Sequence, residues 1–242
     1  MNTHFEPLGE NFGLFVCKEH TFGTDAFLLS DFSCVKKTDT ACDLGTGCGI
    51  IPLLWYRSFA TPPKSVLAVD IQKKAIECLE KTREKYNLES ITPLCADLKD
   101  LPKEYNNAFS LVTCNPPYKK MGAGVLSEES SDKIARHETA CDILDITKTA
   151  SRLLKFGGRL CLCQRPERLV DVMDAMRKSG IEPKRLTMVQ KSHDTKAWLF
   201  LIEGKKGAKP FLEVTKPILV LENGKETDYM KKIYFGEDKN GG

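Results

Sequence analysis

Apolar positions along this chain keep two rhythms, and the rhythms alternate. Short apolar runs at FGLFVC (12–17), SVLAVD (65–70), ITPLCAD (91–97), FSLVTC (109–114) and RLCLCQ (159–164) have the length and density of strands. TACDLGTGCGIIPLLWY reads as a further strand, a glycine-rich turn and an apolar helix. Longer stretches with apolar residues every three or four positions predict helices over 24–34, 71–87, 143–156 and 166–179. Thr24 and Asp25 are placed to cap the first of these. In the second, Ile71, Ala75, Cys78, Leu79 and Tyr86 fall on or near one stripe. The third runs into Gly157-Gly158 as a C-terminal stop, and the fourth into Gly180. Strands around 184–190 and 196–203, joined by the short KSHDTK, predict a hairpin and so one antiparallel strand near an edge. Strands alternating with helices predict an α/β domain with a mostly parallel sheet. We expect one domain over 1–242, with an N-terminal strand and helix extension (1–35), a core (36–203) and a tail (204–242) packed along it.

Composition bounds the class. Hydrophobic residues make up 41% and charged residues 29%, enough to bury a core without metal or disulfide help. A net charge of +3 is compatible with nucleic acid without arguing for it. Most of the ten cysteines sit inside apolar runs and none has zinc spacing, so they read as free thiols of a reducing compartment and no metal is expected. The segment MNTHFEPLGENF is too polar for a signal peptide, and no apolar run approaches the roughly 20 residues of a membrane span. A soluble, cytoplasmic protein is expected, with no membrane partner.

The chemistry begins at DLGTGCG (43–49). Gly45, Gly47 and Gly49 let the backbone approach a ligand closely beyond the carboxyl end of a strand. The spacing is G-x-G-x-G, not that of dinucleotide binders. Asp70 ends the next strand, where a carboxylate can accept both hydroxyl protons of a ribose. Asp97 follows the strand after that and can accept from an adenine amine, while Asp43 adds a negative charge at the turn. Such carboxylates repel a pyrophosphate but suit a cationic nucleoside, and S-adenosyl-L-methionine is one. Thr46, Ile71 and Leu98 adjoin these positions and complete the candidate cofactor set.

Asn115-Pro116-Pro117-Tyr118 follows FSLVTC and so lies on the same sheet edge. An adenine amine is a poor nucleophile because its lone pair is delocalised into the ring. The Asn115 side-chain carbonyl and the Pro116 backbone carbonyl can accept its protons and favour a pyramidal nitrogen. The two prolines hold the second acceptor still, and the Tyr118 ring can stack on a base removed from its own stack.

Together these residues resemble class I S-adenosylmethionine-dependent amino-methyltransferases. FGTDAFLLSDF (22–32), IARHE (134–138), QRPERL (164–169), EGKKGAKP (203–210) and KKIYFG (231–236) are similar to the bacterial tRNA1(Val) adenine-N6-methyltransferase family, which modifies A37 beside the anticodon. The resemblance implies a Rossmann-like, seven-stranded, mostly parallel sheet with one antiparallel strand and helices on both faces. It implies S-adenosyl-L-methionine as cofactor, S-adenosyl-L-homocysteine as product and tRNA as partner. It also implies cofactor roles for Thr24 and Asp25 beside those of Gly45, Gly47, Asp70, Asp97 and Asn115. Lys119 stands where the family often has a bulky apolar residue.

The long polar stretch 119–138 offers Lys119, Arg136 and His137 to a nucleic acid. Arg165 and Arg168 either grip RNA or pair with Glu167 and Asp171. A basic run through Lys184, Arg185, Lys191, Lys196, Lys205, Lys206 and Lys209 is the best candidate for a phosphate-binding face. The rival reading is a protein glutamine-N5 methyltransferase of the release-factor type. Those enzymes usually carry a separate N-terminal helical domain, and about 20 residues precede GTDAF here.

Overall fold

A computed structural model describes residues 3–9, 11–17, 22–57, 62–116 and 142–236. Pro117, Tyr118, Lys119, Arg136 and His137 lie outside the described residues. In chain order the elements are β1 (Thr3–Pro7), β2 (Gly13–Cys17), α1 (Thr24–Phe32), β3 (Thr40–Leu44), α2 (Ile50–Arg57), β4 (Ser65–Asp70), α3 (Lys73–Tyr86), β5 (Ile91–Cys95) and β6 (Phe109–Cys114). Then follow α4 (Ile143–Leu153), β7 (Leu154–Gln164), α5 (Leu169–Lys178), β8 (Ile181–Gln190) and β9 (Ala197–Lys206). The tail adds β10 (Glu213–Val214), β11 (Ile218–Leu219), β12 (Leu221–Glu222), β13 (Lys225–Glu226) and α6 (Asp228–Phe235).

Seven long strands form the central sheet in the order β8-β9-β7-β6-β3-β4-β5, and all but β9 run in one sense. The short β10 and β11 pair with β8, so two stubs from the tail cover an edge that would otherwise stand open. β1 and β2 form a separate antiparallel ribbon, tied to α3 by the Phe15 N–H donating to Thr82 Oγ1.

Side-chain alternation divides the core. Ala41, Val66, Ala68, Leu111, Cys161 and Leu201 face α1, α2, α3 and α6, while Cys42, Leu67, Val69, Val112, Leu162 and Phe200 face α4 and α5. The period-2 pattern of each strand therefore serves both layers, and helices cover both faces. Among the described residues no helix is long and apolar enough to cross a membrane.

Three local expectations need correction. The helix expected over 143–156 ends at Leu153, where the chain passes directly into β7. Leu154 is fully buried and pairs with Phe109, and the ladder shifts register before Arg159 pairs with Leu111. Gly157, at φ +77°, serves that irregularity, not a helix cap, and leaves Phe156 82% exposed. Gly23, not Thr24 or Asp25, takes the N-cap position of α1; Asp25 Oδ1 accepts from Ala26 N–H within the first turn, and its other oxygen serves the site described below. The C-terminal helix α6 and strand β1 have no counterpart in the sequence pattern, since both are short and lean on other elements for their apolar face.

Candidate active site

The carboxyl ends of β4, β3, β6 and β7 line one edge of the sheet, followed by the start of β9 and the end of β8. The glycine turn leaves β3 here. Gly45 N–H and Thr46 N–H both donate to the Val69 carbonyl at 2.9 Å, which folds the turn back over β4. Gly45, Gly47 and Gly49 all have positive φ (70°, 56° and 86°), a conformation that glycine adopts without cost. The first and last differ in surroundings. A Cβ on Gly49 would run into Leu79 of α3, whereas a Cβ on Gly45 would meet nothing within 4 Å. One glycine seals the turn onto a helix, and the other faces open space.

Asp70 closes the turn from the next strand. Its Oδ2 accepts from Gly47 N–H and its Oδ1 from Gln72 N–H, both at 2.8 Å. A carboxylate has about four lone-pair sites, so each oxygen keeps capacity for a ligand hydroxyl. Ile71 beside it is 43% exposed, an apolar side chain left at the site rim. Asp97 and Leu98 follow β5 and are half-buried; Asp97 accepts from Lys99 N–H at 2.9 Å and pairs with the Lys99 ammonium at 3.7 Å.

Asp43 is the electrostatic centre. It is 1% exposed, and Thr113 donates to its Oδ1. Its Oδ2 has no hydrogen-bond partner among the described residues, and neither has the hydroxyl of Thr46 in the turn. Burial raises the Asp43 pKa from 3.8 to about 7, with the Asp70 carboxylate adding to the rise and the Thr113 and Thr46 hydroxyls tempering it. The Thr46 hydroxyl lies near enough to act on that charge although it falls outside hydrogen-bonding geometry. A buried carboxylate with one oxygen unmatched, under a turn that opens to space at Gly45, is a place for a cation.

Asn115 is held from two sides. Its Nδ2 donates to Asp25 Oδ2 of α1 at 3.1 Å, and its Oδ1 accepts from the Cys163 thiol of β7 at 3.1 Å. A carboxylate accepts only, so Asp25 determines which end of the amide is nitrogen and turns the carbonyl the other way. Thr24 shares a 2.6 Å hydrogen bond with the Tyr234 hydroxyl of α6, which ties the start of α1 to the tail. Of the two, Asp25 touches Asn115, which shares with it the expected cofactor set, and Thr24 is tied to the tail. Pro116 is buried beside it.

The basic residues separate by position. Arg165 stays at the site edge, donating to the Trp198 carbonyl at 3.0 Å with its guanidinium 5.6 Å from the indole centre. Arg168 pairs with Asp171 at 2.7 Å. Lys205 pairs in register with Arg159 at the beginning of β7, whereas Phe200 pairs with Gln164 at its end. Lys205, Lys206 and Lys209 therefore lie at the opposite end of the sheet from Asn115. There Lys206 donates to the Leu154 carbonyl and Asn107, Lys184 donates to the Lys209 carbonyl, and Arg185 pairs with Glu203. Only Lys191 and Lys196 of that run are at the site end.

Sequence spacing gives no hint of a thiol cluster formed by Cys17, Cys48 and Cys78, whose sulfurs lie within 4.8 Å of one another beneath the glycine turn. All three are buried, and burial raises the pKa of Cys48 and Cys78, which keeps these two as neutral core fillers. Cys163 and Trp198 are further site residues that sequence reasoning does not reach. The Cys161-x-Cys163 alternation does place the second of that pair on one face with the first.

The chain is an S-adenosyl-L-methionine-dependent methyltransferase of class I fold, and its sheet edge gathers a glycine turn over a buried aspartate, an acidic strand end and, just past β6, a clamped asparagine. The family model for the methyltransferase small domain matches residues 8–178, and the chain belongs to that family. It is 26% identical over 141 residues to a tRNA1(Val) (adenine(37)-N6)-methyltransferase of Histophilus somni, a match covering 58% of each chain. It is 25% identical to a protein of the same name from Parabacteroides distasonis, covering 75% of each. The crystal structure of a predicted O-methyltransferase from Agrobacterium tumefaciens superposes with a TM-score of 0.67 at 20% identity, over 87% of this chain and 95% of that one. That last likeness concerns the fold alone.

Proposed function

We propose that the protein transfers a methyl group to the N6 amine of an adenine in tRNA, with A37 of tRNA1(Val) as the target. The names of the relatives support the acceptor. The observation that carries the chemistry is Asn115, gripped by Asp25 and Cys163 at the edge that also holds the glycine turn. Bound S-adenosyl-L-methionine supplies an activated methyl group on a positively charged sulfur.

Asp70, Gly45, Thr46, Gly47 and Gly49 would hold this cofactor, with Ile71, Asp97 and Leu98 around its adenosine. Asp43 supplies the negative charge that its cationic end requires, and the orphaned Asp43 Oδ2 and open Gly45 are the fit to it. Asn115 Oδ1 then works on the acceptor. It has two lone pairs, and the thiol of Cys163 is a weak donor that an amine can displace. With the Pro116 carbonyl as second acceptor, the amine nitrogen is drawn toward a pyramidal shape and its lone pair is freed for in-line attack. The acceptors are fixed before reaction, so little reorganisation is required. Tyr118 would stack on the extruded base.

Incubating the full chain with isotopically labelled cofactor and total tRNA, then analysing nucleosides by mass spectrometry, tests this. N6-methyladenine carrying the label is the expected product. Label on a protein glutamine and none on tRNA would move the acceptor to the release-factor type of substrate, because the same two carbonyls can orient a side-chain amide.

A further inference from the structure

Beyond Asn115 the site edge continues across β7 to β9, two interstrand spacings or roughly 10 Å. There it meets a cleft of about 450 Å³ lined by Thr24, Lys191, Thr195, Lys196, Trp198 and Val220. Thr24 adjoins Asp25, so the cleft and the Asn115 clamp share the start of α1.

Trp198 is presented by a defect in the sheet. Val189 pairs with Leu199 and Gln190 with Ala197, which leaves Trp198 as the extra residue of a β-bulge. Bulges re-aim side chains and gather near active sites. Arg165 braces Trp198, bonding its carbonyl and holding its guanidinium 5.6 Å from the ring centre. The loop between β8 and β9 is fixed as well. Ser192 N–H donates to Thr195 Oγ1 at 2.9 Å, Gln190 Nε2 donates to the Thr195 carbonyl at 3.0 Å, and Leu221 N–H donates to the Lys191 carbonyl at 2.8 Å. Lys191 and Lys196, at the two ends of this braced loop, are exposed and take part in no ion pair among the described residues. An indole face beside two free ammonium groups is the chemistry that binds a nucleotide, the ring for the base and the cations for the phosphate.

We infer that this cleft holds a nucleotide flanking the methylated one, its base against Trp198 and its phosphate between Lys191 and Lys196. The inference rests on the reading of the acceptor as RNA. Its distance from Asn115 suits the neighbour of a base that has been flipped into the catalytic position.

The test uses the emission of the full chain titrated with an anticodon stem-loop RNA. The sequence has two tryptophans, and Trp55 is 5% exposed and bonded to Ser30 and Ser33, so contact quenching reports on Trp198. Saturable quenching is expected, and Trp198→Phe should reduce its amplitude. Trp198→Ala should raise KM for tRNA about tenfold or more with kcat little changed. Lys191→Ala with Lys196→Ala should flatten the log–log salt dependence of RNA binding by about 0.7 for each phosphate no longer neutralised. Cofactor affinity should stay constant in every variant, which sets these effects apart from misfolding. If wild type methylates tRNA while the cleft variants keep KM and salt slope, the inference falls alone. If wild type neither binds nor methylates RNA, the acceptor reading falls and takes the inference with it.

Discussion

The proposed place of Asp43 beneath the cofactor's cationic end predicts that cofactor binding depends on pH. In the ligand-free protein its pKa stands near 7 against an ordinary 3.8, because burial penalises the charge. Holding it ionised without a cation costs about 4 kcal/mol at 1.36 kcal/mol per pKa unit. A positively charged ligand at the glycine turn removes that cost by favouring the carboxylate. Binding must then expel a proton whenever the free protein carries one. Affinity for S-adenosyl-L-methionine should rise roughly tenfold per pH unit between about 5 and 7 and level off above. Calorimetry at pH 6 in two buffers of different ionisation enthalpy should register close to one proton released. Asp43→Asn keeps an acceptor for Thr113 but cannot ionise, so it should abolish the proton release and flatten the profile, with weak binding at every pH. Wild-type proton release in Asp43→Asn would show that another group titrates and would remove Asp43 from the electrostatics of the site.

The same residue sets a stability difference in the opposite sense. Its native pKa is raised, so the native state binds more protons than the unfolded chain between pH 3.8 and about 7, and its contribution to stability falls across that window. Asp43→Asn should therefore melt above wild type at pH 8 without ligand, and a lower melting temperature there refutes the argument. Asp25→Asn should cut turnover roughly ten- to hundredfold with cofactor affinity unchanged, measured by single-turnover methylation, since it loosens the orientation of Asn115. Cys163→Ser should slow turnover more than Cys163→Ala, because a hydroxyl competes for Asn115 Oδ1 better than a thiol does; equal rates would mean that this contact is incidental. Gly49→Ala should destabilise the fold by about 1 kcal/mol or more through strain and the clash with Leu79, whereas Gly45→Ala should spare more of the fold and weaken cofactor binding; denaturant melts and calorimetry separate the two.

What the chain makes legible follows from range. β6 is readable to the residue, as is β4, because a buried parallel strand is a continuous apolar run ending in a turn signal. The glycine turn and Asp70 are readable because strand ends and short turns are local facts. The end of α4 is not, because Gly157-Gly158 is ambiguous locally, and only the pairing of Leu154 with Phe109 decides for strand. The lysine run shows the same limit in the site. Lys191 and Lys205 belong to one basic stretch in sequence, but β9 reverses direction and carries them to opposite ends of the sheet. Charge counted along the chain cannot see that reversal.

The tail gives the strongest case of the candidate site resting on distant contacts. α6 is a short helix that would not hold alone. Arg57 at the end of α2 donates to the Tyr234 carbonyl at 2.7 Å and the Ile233 carbonyl at 2.8 Å, satisfying groups that a helix end leaves orphaned. With α6 so anchored, the Tyr234 hydroxyl reaches Thr24 at the start of α1. The next residue, Asp25, holds the amide of Asn115. Three segments far apart in sequence, α2, α6 and α1, are thus linked to one side-chain amide. α6 is thereby linked, through Thr24, to the helix that holds the proposed catalytic amide. The direction of the asparagine after β6 is set by a carboxylate that the chain forms 90 residues earlier, on a helix whose start is tied to α6.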